Sequence, residues 1–170
     1  MTRFFTPLLF LLAASTLNAQ QFIDASAQLP NDGASQQSMD IRAADLDNDG
    51  DLDIVLANEG QPNTLLFNDG NGNFATAPAG VLPARNQDSE DVAIADFNGD
   101  GWLDLVFCSE DDIVLGEQDV HEYYLGSAEG QFIAVSGALL DSEANAVITA
   151  DINNDGWLDV LLTSDFGTSR

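Results

Sequence analysis

Three nine-residue segments of this chain superimpose without a gap. They are Asp45-Leu-Asp-Asn-Asp-Gly-Asp-Leu-Asp53, Asp96-Phe-Asn-Gly-Asp-Gly-Trp-Leu-Asp104 and Asp151-Ile-Asn-Asn-Asp-Gly-Trp-Leu-Asp159, and their starts lie 51 and 55 residues apart. A self-similar period of about 50 residues means that one small unit folds repeatedly and stacks on its neighbours, because a unit of that size cannot bury its apolar face alone. The likeness reaches past the loops. An alanine (Ala44, Ala95, Ala150) precedes each first Asp, with Ile41, Val92 or Val147 three residues before that alanine. Each loop is followed by a short apolar run, Ile54-Val-Leu56, Leu105-Val-Phe107 or Val160-Leu-Leu162. Such runs, partly β-branched and bounded by turn residues, predict buried strands, so each loop joins two strands.

A second hairpin follows in the complete repeats. Leu65-Leu-Phe67 leads through Asn68-Asp-Gly-Asn-Gly-Asn73 to Phe74, and Tyr123-Tyr-Leu125 leads through Gly126-Ser-Ala-Glu-Gly-Gln131 to Phe132. Gly and Asn supply the positive φ that tight turns need. One repeat is therefore a meander of four short antiparallel strands, the size and pattern of a propeller blade. The segment from Phe22 to Pro30 fits the register of Phe74 and Phe132, so a strand is expected at 22–26, completing a blade. The fold class is all-β: propeller-type four-stranded antiparallel blades, about two of them full and the others partial, an incomplete propeller. The expected organisation is a signal peptide at 1–19, a blade-completing strand and linker at 20–38, blade 1 at 39–90, blade 2 at 91–143 and a truncated blade 3 at 144–170.

The signal peptide rests on Arg3, the apolar stretch from Phe4 to Ala14 and the Leu17-Asn18-Ala19 cleavage site. That stretch is shorter than the roughly 20 residues needed to span a bilayer. The chain is expected to be secreted or displayed at the cell surface, with no membrane insertion after cleavage.

Charge narrows the function. The 170 residues hold 29 Asp plus Glu against 4 basic residues, a net −25, with 45% hydrophobic residues. The apolar share argues for a folded core. No basic face can be assembled for phosphates, which excludes nucleic acid, and an anionic membrane surface would repel the chain.

The loops give the carboxylates a purpose. Oxygen donors at positions 1, 3, 5 and 9 with Gly at 6 suit calcium, which takes 6–8 oxygens at loose geometry. The side-chain donors are Asp45, Asp47, Asp49 and Asp53; Asp96, Asn98, Asp100 and Asp104; and Asp151, Asn153, Asp155 and Asp159. Asp51, Trp102 and Trp157, at position 7, would add backbone carbonyls, while Gly50, Gly101 and Gly156 allow the turn. About three Ca2+ sites are expected. An EF-hand is excluded because position 12 is Leu56, Phe107 or Leu162 instead of Glu, and because the flanks are strand-like.

These loops between strands, with the Leu66-Phe-Asn-Asp-Gly-Asn-Gly-Asn-Phe74 hairpin, resemble the FG-GAP/VCBS-type repeat, related to the propeller blades of integrin α subunits. The resemblance covers nearly all of residues 22–163. It implies a calcium-stabilised β-propeller in exported or surface proteins, with the metal positions falling on the twelve side chains named above. Repeat 2 departs from the hairpin signature at Gly126-Ser-Ala-Glu, and the family does not share one activity.

Catalysis has little support. His121, the single histidine, aligns with Asn63 and reads as a packing residue, and Cys108 occupies a small-residue slot shared with Ala57 and Thr163. Trp102 and Trp157 are expected to cover the loops or pack between blades. Repeat 2 carries seven extra residues near Asp111 to Val120, which read either as a binding loop or as a tolerated surface insertion. The expected function is a non-enzymatic, calcium-binding scaffold for adhesion or ligand binding, its partner an extracellular glycan or protein. The alternative is the propeller portion of a larger secreted enzyme, for example one degrading polysaccharide, with its catalytic residues outside this chain.

Overall fold

A computed structural model describes residues 22–30, 36–110, 120–128, 130–140 and 142–163. The expected signal peptide and nearly all of the insertion (111–119) lie outside them. Among the described residues, ten strands form three antiparallel sheets. Blade 1 is β1 (Ser38–Ala44), β2 (Asp53–Asn58), β3 (Thr64–Asn68) and β4 (Phe74–Thr76), in that order across the sheet. Blade 2 repeats the order with β5 (Ser89–Ala95), β6 (Asp104–Ser109), β7 (Glu122–Leu125) and β8 (Ile133–Ala134). Blade 3 is the pair β9 (Ala146–Ala150) and β10 (Asp159–Thr163). The fold is all-β, in propeller-like blades that, among the described residues, do not close into a ring.

One expected strand does not form. Residues 22–25 carry no strand, and Ser26–Gln28 is a single 3-10 turn. Phe22 is 90% exposed and Ile23 79%. An apolar run becomes a strand only where a sheet edge accepts its hydrogen bonds, and the three strands this segment was expected to complete are not among the described residues.

Strand alternation sorts each blade into two faces. Val55, Ala57 and Leu65 of blade 1 meet Val92, Leu105, Phe107 and Tyr124 of blade 2 in one buried cluster. Ala93, Val106 and Cys108, on the other side of blade 2, meet Val147 and Leu162 of blade 3 in a second. The stability of a blade therefore comes from its neighbours. Phe107 and Tyr124 pack edge to face, ring centres 6.2 Å apart at 81°, a geometry that aromatic quadrupoles favour.

Polar staples join the blades at the inner strands. The register shifts between Ser38 and Asp40 in β1, and between Ser89 and Asp91 in β5, the same position in both repeats. Such bulges re-aim side chains. Asp40 accepts the Val92 amide (3.4 Å) and Asp91 accepts the Val147 amide (3.0 Å), each from the next blade. Arg42 spans the first junction, pairing with both Asp40 and Asp91 at 2.7 Å. Deeper between blades 1 and 2, Glu122 is only 3% exposed. It accepts hydrogen bonds from Asn63 (2.6 Å) and the Tyr124 hydroxyl (3.0 Å), with Arg85 Nε at 3.5 Å.

Candidate metal centre

The three Asp loops share one local design. The first Asp turns its Oδ2 back to the amide of the position-6 glycine: Asp45 to Gly50 (3.1 Å), Asp96 to Gly101 (2.9 Å) and Asp151 to Gly156 (3.0 Å). Those glycines sit at φ 98°, 91° and 93°, where a side chain is strained. Position 4 is also left-handed, with φ 60°, 74° and 60° at Asn48, Gly99 and Asn154, which explains why only Asn and Gly occur there. Position 3 caps the amide of position 5: Asp47 to Asp49 (3.2 Å), Asn98 to Asp100 (2.8 Å) and Asn153 to Asp155 (2.8 Å). Position 5 caps position 7: Asp49 to Asp51 (3.0 Å), Asp100 to Trp102 (2.9 Å) and Asp155 to Trp157 (2.9 Å). Oxygen-bearing side chains at alternate positions are thus curled inward by their own backbone.

In loop 1 this curl brings Asp45, Asp47 and Asp49 together, each presenting a carboxylate oxygen within 4.8 Å of the others. Asp45 Oδ1 is buried and has no hydrogen-bond partner. A buried carboxylate oxygen without a partner is costly unless a cation meets it, so the donor set fits calcium. Burial, opposed by the Asp49 amide and reinforced by the neighbouring Asp53, Asp49 and Asp45 charges, raises the Asp47 carboxyl above its ordinary value. An ion bound there would supply charge neutralisation and cross-link the two ends of the loop. Loops 2 and 3 carry Asn at position 3, and Asn98 donates to Asp100 at 2.9 Å.

The ninth-position Asp has a structural task that its residue type did not disclose. Asp53 and Asp104 are both fully buried. Asp53 accepts the Leu46 amide on one oxygen and the Asn68 amide on the other, both at 2.9 Å. Asp104 does the same with Phe97 (3.0 Å) and Gly126 (2.9 Å). Asp159 makes the first of these bonds, to Ile152 at 2.9 Å; the second donor comes from the end of the third strand, which is not described for blade 3. This Asp therefore ties the loop to the far hairpin, and Asp53 is not among the three acids that converge in loop 1. Burial pushes the Asp104 carboxyl up, partly offset by the Gly126 and Phe97 amides. Gly126 is obligatory there, since a Cβ would overlap the Leu103 carbonyl oxygen.

Position 7 offers its backbone only. The Asp51 carboxylate turns out to the next hairpin, where a Cβ on Gly70 would strike it. The Trp157 ring lies against Gly99 of the preceding loop, 3.1 Å from where a Cβ would stand, so this tryptophan packs between blades while remaining 58% exposed.

His121 and Cys108 are packing residues. His121 is 2% exposed, accepts the Ser109 amide on Nδ1 (3.1 Å) and lies 3.0 Å from the Ser142 hydroxyl through Nε2. Cys108 is fully buried, and burial pushes its thiol up to about 12, away from the reactive thiolate. A second group of acids, Asp88, Glu90 and Glu110, converges where β5 begins and β6 ends, and the motif reading did not find it.

Away from the loops, two acids make a pH prediction. Burial, followed by the Asp91 contact, raises Asp40 above 3.8, and burial followed by Glu110, Asp88 and Glu59 raises Glu90 above 4.5. The folded chain therefore binds more protons than the unfolded chain just above those ordinary values, so these groups add stability as pH falls. In chelator, the share of stability these two carboxyls control should grow as pH falls toward those ordinary values, read by comparing the melting-temperature change over that range with that of Asp40→Asn and Glu90→Gln. Identical pH dependence in the unaltered chain and the two variants would contradict this electrostatic account.

Residues 45–107 match the family described as FG-GAP-like repeat. The chain is also similar to cartilage acidic protein 1 of Mus musculus, 36% identical over 118 residues, and of Homo sapiens, 35% over 119; each match covers 66% of this chain and 17% of the relative. Cartilage acidic protein 1 of Xenopus tropicalis is 30% identical over 118 residues. The chain thus spans about a sixth of the length of the curated relatives it matches. With Asp loops joining strands of stacked antiparallel sheets, the chain carries an FG-GAP-like repeat over residues 45–107.

Proposed function

We propose that the chain is an exported, calcium-stabilised propeller module that serves as a scaffold for adhesion or ligand binding. The observation that carries the calcium reading is the buried, partnerless Asp45 Oδ1 at the meeting point of three carboxylates. In this reading loops 2 and 3 hold equivalent ions through Asp96, Asn98 and Asp100, and through Asp151, Asn153 and Asp155. Position-7 carbonyls add oxygen donors, and the ninth-position Asp braces each site from behind. Calcium is favoured over magnesium because each loop offers many oxygen donors, whereas magnesium demands a tight octahedron and keeps several waters.

The scaffold reading rests on how the chain uses its chemistry-bearing residues. His121, Cys108 and Glu122 are engaged in packing or in joining blades, while the loops and turns face outward. The relatives' name places them in cartilage and calls them acidic, which is in keeping with an extracellular role for this chain.

Isothermal titration calorimetry tests the metal assignment. Calcium should bind at about three sites per chain, and Asp45→Asn, Asp96→Asn and Asp151→Asn should each remove one. Heats indistinguishable from buffer, or a stoichiometry unmoved by the substitutions, would refute it.

A further inference from the structure

Two asparagines of the chain are followed by glycine: Asn71, in the β3–β4 hairpin, and Asn98, in the second Asp loop. Asn98 stands at position 3, where loop 1 carries Asp47 and loop 3 carries Asn153 followed by Asn154. Asparagine before glycine is a chemical weak point of a polypeptide, because the next backbone nitrogen reaches the side-chain carbonyl carbon and no Cβ stands in its way. Asparagine is counted among the heat-sensitive residues.

The geometry of loop 2 favours that chemistry. Asn98 and Gly99 are both exposed, so water reaches them. Asn98 Oδ1 accepts the Asp100 amide at 2.8 Å, and its Nδ2 donates to Asp100 Oδ2 at 2.9 Å. An N–H aimed at a carbonyl oxygen stabilises the negative charge that develops there when a nucleophile adds. The second bond holds the nitrogen that must depart. Gly99 lies at φ 74°, and its amide donates to Asp96 Oδ1 at 2.8 Å. That bond is the brake: the nitrogen attacks only when it opens, and an exposed loop opens at small cost.

We propose that Asn98 is a self-modification site, deamidated through a cyclic imide formed with the Gly99 nitrogen. The nitrogen bonds to Asn98 Cγ and gives up its proton; the Cγ–Nδ2 bond breaks, and Nδ2 leaves as ammonia with one proton gained. Water then opens the imide at either carbonyl. One opening leaves aspartate at 98, and the other leaves isoaspartate, in which the main chain runs through the former side-chain carbon. Water is the only co-reactant, and nothing is oxidised or reduced. The aspartate product gives loop 2 the position-3 carboxylate that loop 1 has in Asp47. The isoaspartate product lengthens the main chain by one methylene between Asp96 and Asp100. The caps that Asp96 places on the Asp100 and Gly101 amides, at 3.1 and 2.9 Å, then lose their register. The reaction itself needs no ion. On the calcium reading proposed for this loop, engagement of Asp96 and Asn98 keeps the loop closed and slows it.

Peptide mapping by mass spectrometry tests the proposal on the purified full chain, held warm at neutral pH in chelator. Asn98 should convert, its aspartate and isoaspartate products separating on chromatography. Asn153 is the control within the same molecule: it accepts the Asp155 amide at 2.8 Å in the same way but is followed by Asn154. It should convert at least about tenfold more slowly, a modest difference in barrier. Gly99→Asn gives loop 2 the position-4 residue of loops 1 and 3, and should bring Asn98 down to the Asn153 rate. An Asn98 that stays intact overturns the proposal. So does conversion of Asn98 and Asn153 at one rate, or a Gly99→Asn chain in which Asn98 converts as fast as before. Excess calcium in the same incubation should protect Asn98. Conversion in chelator that calcium does not slow would support the modification site and contradict an ion in loop 2.

Discussion

Asp104→Ala should be among the most damaging single substitutions in the chain, with or without calcium. The Asp104 carboxylate is fully buried and accepts the Phe97 amide at one end of its loop and the Gly126 amide beyond β7. Alanine leaves both donors without a partner, at about 1–3 kcal/mol each. The total, about 2–6 kcal/mol, is a large share of the stability of an ordinary domain. Asp100→Asn is the matched control: Asp100 is exposed and sits in the same loop as an expected ligand. In chelator, Asp100→Asn should melt close to the unaltered chain while Asp104→Ala melts far below it; in calcium, both should be impaired. Equal melting of the two variants in chelator would show that position 9 has no bracing role beyond metal ligation.

Phe107→Ala should cost about 3–5 kcal/mol, the range for deleting a buried aromatic ring. The ring is fully buried in the cluster shared by blades 1 and 2, and packs edge to face on Tyr124. The cavity would lie between two sheets, each held to the next by side chains and a few staples, so loss of the ring loosens the junction as well as the blade. Urea denaturation measures the effect as a lowered midpoint at a largely unchanged slope. A loss under about 1 kcal/mol would mean that the blades are joined chiefly by the polar staples at Asp40, Asp91 and Glu122.

The loops were legible in the sequence because their chemistry is local. A carboxylate at alternate positions, Gly at position 6 and Asn or Gly at position 4 are demanded by backbone angles and hydrogen bonds within nine residues. The strands beside them were legible for the same reason, from Ile54 through Leu56 and from Leu105 through Phe107. What escaped the sequence were the long-range partners. Asp53 and Asp104 share a residue type with the converging acids but are also tied to the amide of a residue 15 to 22 positions away, which no nine-residue motif discloses. The strand expected at 22–26 failed because pairing needs an edge as well as a pattern. Glu122 belongs to no motif, and its buried place depends on Asn63 from the neighbouring blade. Asp40 and Asp91 were discoverable: both lie five residues before the first Asp of a loop, and only the third repeat, with Ala146, breaks the pattern.

The central claim, that calcium held in the Asp loops stabilises these blades, is tested most directly by thermal melting of one preparation in excess calcium and in excess chelator. An ion bound only by the folded chain adds about 2.7 kcal/mol at a hundredfold excess over its dissociation constant. For a chain of this size that is about 5–10 °C per occupied site. The account predicts a melting temperature higher in calcium by at least that amount, lost on chelation and regained on adding calcium back. Superimposable melting curves in calcium and chelator would contradict it.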